Sequence, residues 1–476
     1  MDDKNLGLKN VISTGVGLIV ATSCLLSLGI GSASIGTPFI YSMIIACVIN
    51  IMAALTVSEL NAIMPNLTGG LAQYTLACLG PFITIIVMVG GYLICNTLIS
   101  SAECAMFGNT VTNVFPHIPI KGSTYCIGLL IILILSNLRG VDMFAKIQDF
   151  VAYGLIASLT ILGILGCIKI NPTNVITQPA VISSKFSDIT SLCGLAFFLF
   201  IGCEYVIPIS NRVKNARRNV PLGMVLSLLI VLVMQTFLVF GFKNYTPWAE
   251  LGQSTTPHVL YGSLLLGKAG VIWMAIVSIL AVISSINTVL SALSYIAQGM
   301  AKIELLPAFF MKTNKKGAPY VGILIIGGTM IVINTTGLST TDQLSFIILT
   351  GCVFWIAAYI VLHINVLVLR RRLPNVPRTF KVPFGPIIPI LGIIGSVLMI
   401  WNIDSNPDTR LLIFKISGTI FLLLGVYATI WIKLIKKQKL FIPVPVEKVM
   451  AMENELYHEQ RKISILKKNK LQAISY

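Results

Sequence analysis

Glu204 stands inside a long apolar run, in the segment Gly202-Cys203-Glu204, where an ionisable side chain is costly enough to be functional by default. Its chemistry would be that of a proton carrier or a conformational sensor. The structural alternative is a neutral acid hydrogen-bonded to freed backbone. A second apolar run is interrupted at Ala21-Thr22-Ser23-Cys24. Backbone that stops bonding to itself in lipid is tolerated only where it lines a cavity, so two matched interruptions point to a substrate site. Half-helix starts offer N–H groups to an anion and freed carbonyls favour an amine, so the pair suits a zwitterion. Glu103 is a further carboxyl in an apolar run, read as lying near the outer vestibule. Ser284, Ser285, Asn287 and Thr288 could supply oxygens to an ion, or equally could pack between helices.

Enzyme chemistry finds no such support. The four histidines, His117, His258, His363 and His458, are scattered, without HExxH, GxSxG or a phosphate-binding Gly-rich loop. His363 could join a proton route or be a packing residue. The ten cysteines lie mostly in apolar segments with no CxxC pair and read as small packing residues, so no metal and no cofactor are expected.

The elements that must position these residues are membrane helices. The chain has 476 residues, 56% hydrophobic and 11% charged, with mean hydropathy +0.89, whereas a soluble domain carries about 25% charge. An all-α, multi-pass membrane protein follows. We count twelve apolar stretches, near 10–32, 39–63, 82–110, 122–138, 146–170, 190–211, 222–243, 268–301, 318–335, 343–369, 386–402 and 411–434. The first is too long for a signal-peptide core and reads as a retained helix. Most of the 34 basic residues fall in alternate loops and in the tail, which places both termini in the cytoplasm. The net charge of +17 is thus a topology signal, with no nucleic-acid partner implied. Residues 1–435 form the transmembrane unit and 436–476 a basic cytoplasmic tail. Lys433, Lys436, Lys437 and Lys439 could attract anionic lipid, or the tail could simply be solvated.

Four junctions carry a family resemblance. Ser58-Glu59-Leu60 runs through Met64-Pro65 to Gly69-Gly70 and Gln73-Tyr74. Phe200-Ile201-Gly202-Cys203-Glu204-Tyr205 leads into Arg212-Val213-Lys214-Asn215-Ala216-Arg217-Arg218. Ala301-Lys302-Ile303-Glu304 is followed by Gly317-Ala318-Pro319-Tyr320, and Arg370-Arg371-Arg372-Leu373-Pro374 by Val376-Pro377-Arg378. In this order they resemble the amino acid, polyamine and organocation (APC) superfamily of secondary transporters, specifically bacterial amino acid permeases, over residues 8–435.

The resemblance implies a LeuT-like fold: twelve transmembrane helices, an inverted five-helix repeat (about 10–170 and 190–370) plus two peripheral helices (about 386–434). It implies a first helix of each repeat broken near the midplane. Around those breaks the substrate would meet Ile19, Ala21, Thr22 and Ser23 at one end, and Phe198, Ile201, Gly202 and Glu204 at the other. Glu204 would be the proton-coupling candidate, and Phe198 could instead pack in the core. The family's first break is usually glycine-rich, and Ala21-Thr22-Ser23-Cys24 departs from that, leaving open a smaller pocket or a continuous helix. Proton-coupled relatives often carry a lysine seven residues after a glutamine on the fifth helix, and here Gln148 is followed at that spacing by Leu155. The implied function is a symporter or exchanger of an amino acid, with a neutral one preferred, in the cytoplasmic (inner) membrane. A cationic amino acid or polyamine antiporter and a transporter-like nutrient receptor stay open. Oligomeric state is not legible.

Overall fold

A computed structural model of the chain describes residues 6–64, 71–115, 117–139, 145–338 and 340–452. Pro65 to Gly70 of the first junction, the tail beyond Met452, and the side chains of Lys146, Gln148 and Arg212 lie outside the described residues. Those described are helical, with two isolated backbone bridges, Leu6 to Val213 and Gly36 to Val181, and no strand.

The first apolar run is two helices, α1 (Leu8–Ile19) and α2 (Thr22–Ile35), bent by 65° at the break. Then come α3 (Phe39–Ile63), the short α4 (Leu71–Leu79), and α5 (Pro81–Val114) with a wide-turn segment over Ile86–Ile94. α6 (Gly122–Leu138) and α7 (Ala145–Cys167) follow. α8 (Cys193–Phe198) stops short and gives way to a tight 3₁₀ segment, Cys203–Arg212. Beyond it lie α9 (Ala216–Tyr245), α10 (Pro257–Leu266), α11 (Lys268–Lys302), α12 (Tyr320–Thr335), α13 (Thr341–Arg372), α14 (Ile387–Trp401) and α15 (Pro407–Ile435). Among the described residues six single helices are long and apolar enough to cross a bilayer, or seven with the bent pair, and six more apolar helices are shorter. The chain is therefore a multi-pass membrane protein.

Burial sorts centre from rim. In α13, 67% of the most apolar window is buried, against 22% in α15, where Leu422, Leu423 and Leu434 face outward as lipid-facing side chains would. α5 reaches the centre because Gly91 lets it approach α13. A Cβ there would stand 2.8 Å from the Ala358 Cβ and 3.1 Å from the Phe354 carbonyl oxygen.

One end of α13 is fixed electrostatically. The buried Glu59, near the end of α3, accepts Arg370 Nε at 2.9 Å, Arg370 Nη2 at 2.6 Å and the Val382 N–H at 2.8 Å, with Arg378 Nε at 3.4 Å. A buried carboxylate is tolerable when so surrounded. The start of the tail is not free. The Phe82 N–H donates to the Leu440 carbonyl and the Val444 N–H to that of Leu76, at 3.1 Å each. A final short turn, Val446–Ala451, packs on α4 with Val449 fully buried.

Candidate functional site

The first break is earlier than the sequence suggests. Val20 (φ −87°, ψ 97°) and Ala21 (φ −114°, ψ 162°) are the extended residues, and Thr22, Ser23 and Cys24 already form the first turn of α2. Ala21 offers no side-chain cap, so the leading N–H groups of α2 have no acceptor from a capping side chain. The second break lies between Phe198 and Cys203. Gly202 sits at φ 113°, a left-handed conformation that glycine adopts without Cβ strain. Gln235 Nε2 donates to the Leu199 carbonyl there, at 3.4 Å. The two breaks touch through one thiol: Cys24 Sγ is 3.1 Å from the Ile19 carbonyl oxygen and 3.8 Å from that of Phe198.

Between them lies a cavity of about 290 Å³. Gly17, Ile19, Val20, Ala21, Ser23 and Cys24 line it from the first break, and Phe198, Ile201, Gly202 and Tyr205 from the second. From α5 come Asn96, Ile99, Ser100 and Glu103, spaced 0, +3, +4 and +7 on one helical face. α11 presents Ala281, Ser284, Ser285 and Thr288 with the same spacing, α7 adds Val151 and Leu155, and α13 adds Trp355. Of the eight site residues expected from sequence, Ile19, Ala21, Ser23, Phe198, Ile201 and Gly202 line this space, whereas Thr22 and Glu204 do not. Among the described residues the buried Thr22 hydroxyl has no hydrogen-bond partner.

Glu204 points into an aromatic cage instead. Trp355 Nε1 donates to its Oε1 and the Tyr359 hydroxyl to its Oε2, each at 2.8 Å. Tyr205 and Trp355 in turn pack edge to face with centroids 6.0 Å apart, so the second break is tied to α13 through Glu204 and its neighbour. Glu103 takes the place in the cavity that the sequence did not give it. Its Oε1 accepts from Ser23 Oγ at 2.9 Å and its other oxygen accepts from the Ser285 hydroxyl. The α5 spacing carried the signal for this, but read alone it is also the spacing of a core stripe. Trp355 and Tyr359, four residues apart, were similarly legible only once Glu204 was in view.

The remaining polar expectations divide. Ser284, Ser285 and Thr288 reach the cavity, while Asn287 accepts from Asn137 Nδ2 at 2.8 Å, a helix-to-helix contact. His363 is buried away from the cavity, its Nδ1 2.8 Å from the Thr56 hydroxyl. Among the described residues no group of three or more His, Cys, Asp or Glu side chains could hold a metal ion.

A broken-helix pair around a mainly apolar cavity with a few polar groups is the geometry of a small-solute site. The amino acid permease family profile matches residues 6–426. The chain is 23% identical over 439 residues to the branched-chain amino acid permease BcaP of Bacillus subtilis (strain 168), covering 88% of this chain and 92% of that protein. It is 24% identical to the methylthioribose transporter of the same organism (86% and 88% covered), and 24% identical to BcaP of Lactococcus lactis subsp. cremoris (strain MG1363) (88% and 92%). The chain therefore belongs to the amino acid permease family of the APC superfamily.

Proposed function

We propose that this protein is a secondary active transporter that carries a neutral amino acid across the cytoplasmic membrane by alternating access around the cavity between the two breaks. The observation that carries the reading is the lining itself. A cavity of about 290 Å³ lies at the lower end of ligand pockets, roughly 300–1,000 Å³. Its side-chain half is aliphatic and aromatic, from Ile19, Ile99, Leu155, Phe198 and Ile201, and among the described residues Glu103 is the one Asp, Glu, Lys or Arg on its wall. The substrate carboxylate would face the start of α2, and the ammonium the carbonyls freed near Phe198 to Gly202. The branched-chain specificity named for two relatives fits this apolar wall.

In this reading twelve spans form two inverted five-helix repeats with two peripheral helices, α14 and α15, and both termini are cytoplasmic. The transmembrane unit is 1–435 and the tail begins at 436. Glu204, caged by Trp355 and Tyr359, serves as the conformational tie between the second break and α13. Leu155, where proton-coupled relatives often carry a lysine, stands on the cavity wall and argues against lysine-dependent proton coupling. One observation favours a second reading, an amine carrier: Glu103 could pair with a substrate's second positive charge.

Reconstituted protein should be tested in liposomes for uptake and counterflow of leucine, valine, alanine, arginine, putrescine and methylthioribose. Selective counterflow of a neutral amino acid is the expected result. Preference for arginine or putrescine would establish the amine carrier instead, and transport of none of these solutes would sink the transporter reading.

A further inference from the structure

We propose that Glu103 is the group that carries the coupling proton, so that substrate and proton move together. This rests on the reading of the cavity as a zwitterion site. Glu103 is buried, lies on the cavity wall, and accepts hydroxyl hydrogen bonds from Ser23 at the start of α2 and Ser285 on α11. Among the described residues no Lys, Arg or His makes an ion pair with it. Of the described titratable groups, the Cys24 thiol on α2 shares the cavity wall with it and the Cys104 thiol stands beside it on α5. Tyr205 lines the cavity from the second break, and the Glu204 carboxyl lies behind that wall, held by Trp355 and Tyr359. None of these supplies a positive charge.

The start of α2 is where a substrate carboxylate gains most, because its N–H groups and the helix dipole favour an anion. Glu103 already holds the Ser23 hydroxyl of that same turn. A substrate carboxylate docking there brings two like charges to one set of donors, which strongly disfavours both being ionised. A proton from the aqueous side resolves the conflict. An ionised carboxylate only accepts, whereas the protonated acid has a donor O–H and gives up part of its accepting capacity. Protonated Glu103 therefore releases the Ser23 hydroxyl to the substrate and can itself donate to the substrate carboxylate. On the far side the substrate departs, the proton leaves Glu103 to water, and the carboxylate recovers Ser23 and Ser285. The two serines lie on α2 and α11, so the protonation state also decides whether these helices are tied together.

The test uses proteoliposomes with radiolabelled leucine, or the best-carried neutral amino acid of the panel above, and a luminal pH dye. For one proton per substrate, an inward gradient of one pH unit drives up to about tenfold accumulation, since one unit is a tenfold ratio of activities. Wild type should accumulate substrate and acidify the lumen on substrate addition. In Glu103→Gln the ratio of gradient-driven to gradient-free uptake should fall to about one, whatever its absolute rate. Substrate transport by wild type without proton movement would overturn the proposal, as would gradient-driven accumulation by Glu103→Gln. Should that variant not insert, Glu103→Asp decides: its pH midpoint of uptake moves if this carboxyl carries the proton and stays at the wild-type value if it does not. Absence of any solute uptake would overturn the transporter reading, and this proposal with it.

Discussion

The indole N–H of Trp355 and Oε1 of Glu204 meet at 2.8 Å, joining α13 to the second break across 151 residues of sequence. The same indole lines the cavity, so one side chain touches both the solute space and the buried carboxyl behind it.

Replacing Trp355 with Phe keeps a ring on the cavity wall but removes this donor, leaving Glu204 with Tyr359 as its side-chain donor. An under-satisfied buried acceptor costs about 1–3 kcal/mol. A lower melting temperature in detergent, together with weaker substrate affinity, is expected. Unchanged values for both would show that the tie is not needed.

Ser23→Leu should abolish substrate binding. Ser23 is fully buried and its hydroxyl reaches Glu103, so a leucine there projects into the solute space and strips one donor from the carboxyl. Equilibrium binding of radiolabelled substrate to purified protein checks this, and normal affinity would mean the site lies elsewhere.

Gly202→Ala places a Cβ at φ 113°, a conformation that costs an L-residue about 1–2 kcal/mol. The expected result is reduced thermal stability, with the substrate affinity of the folded fraction altered because the break itself is re-aimed. A melting curve identical to wild type would argue that the left-handed turn is not retained.

Glu59→Ala removes the acceptor shared by Arg370 and the Val382 N–H, and the ion-pair partner of Arg378. Breaking a buried ion cluster from one side costs about 3–5 kcal/mol. This variant should be the least stable of the four by thermal unfolding, and the defect should appear in yield before it appears in transport.

Much of this architecture was legible because membrane helices announce themselves by hydropathy, and the limits of α3 and α11 fall within a residue of the apolar runs 39–63 and 268–301. The second break was legible from Gly202 and Glu204 together. The first was displaced by about two residues, because Thr22 and Ser23 look like helix breakers in sequence yet stand in the first turn of α2, where small hydroxyl residues are well suited. Glu103, which the sequence suggests lies near the outer vestibule, lines the cavity between the breaks, and the reason its neighbours are not legible is physical. Depth along a helix can be read from sequence, but which neighbour a face meets cannot, and here Ser23 at the start of α2 meets Glu103 of α5 just past a 65° bend. The lysines of the tail suggest either lipid attraction or solvation, whereas its described beginning packs on the protein, Phe441 by an edge contact with Phe82 at 5.0 Å and Val449 by burial.

That docking has a consequence for how the protein is made. Helices enter the membrane in the order of synthesis, N-terminal ones first. Yet the amide of Phe82, at the start of α5, finds its partner in Leu440, and α4 is covered by Val449. The amino-terminal half can be inserted long before it is finished. The edge formed by α4 and the start of α5 stays open until residues 440–449 have been made, so truncations before them should expose a surface that quality-control proteases read as an incomplete protein.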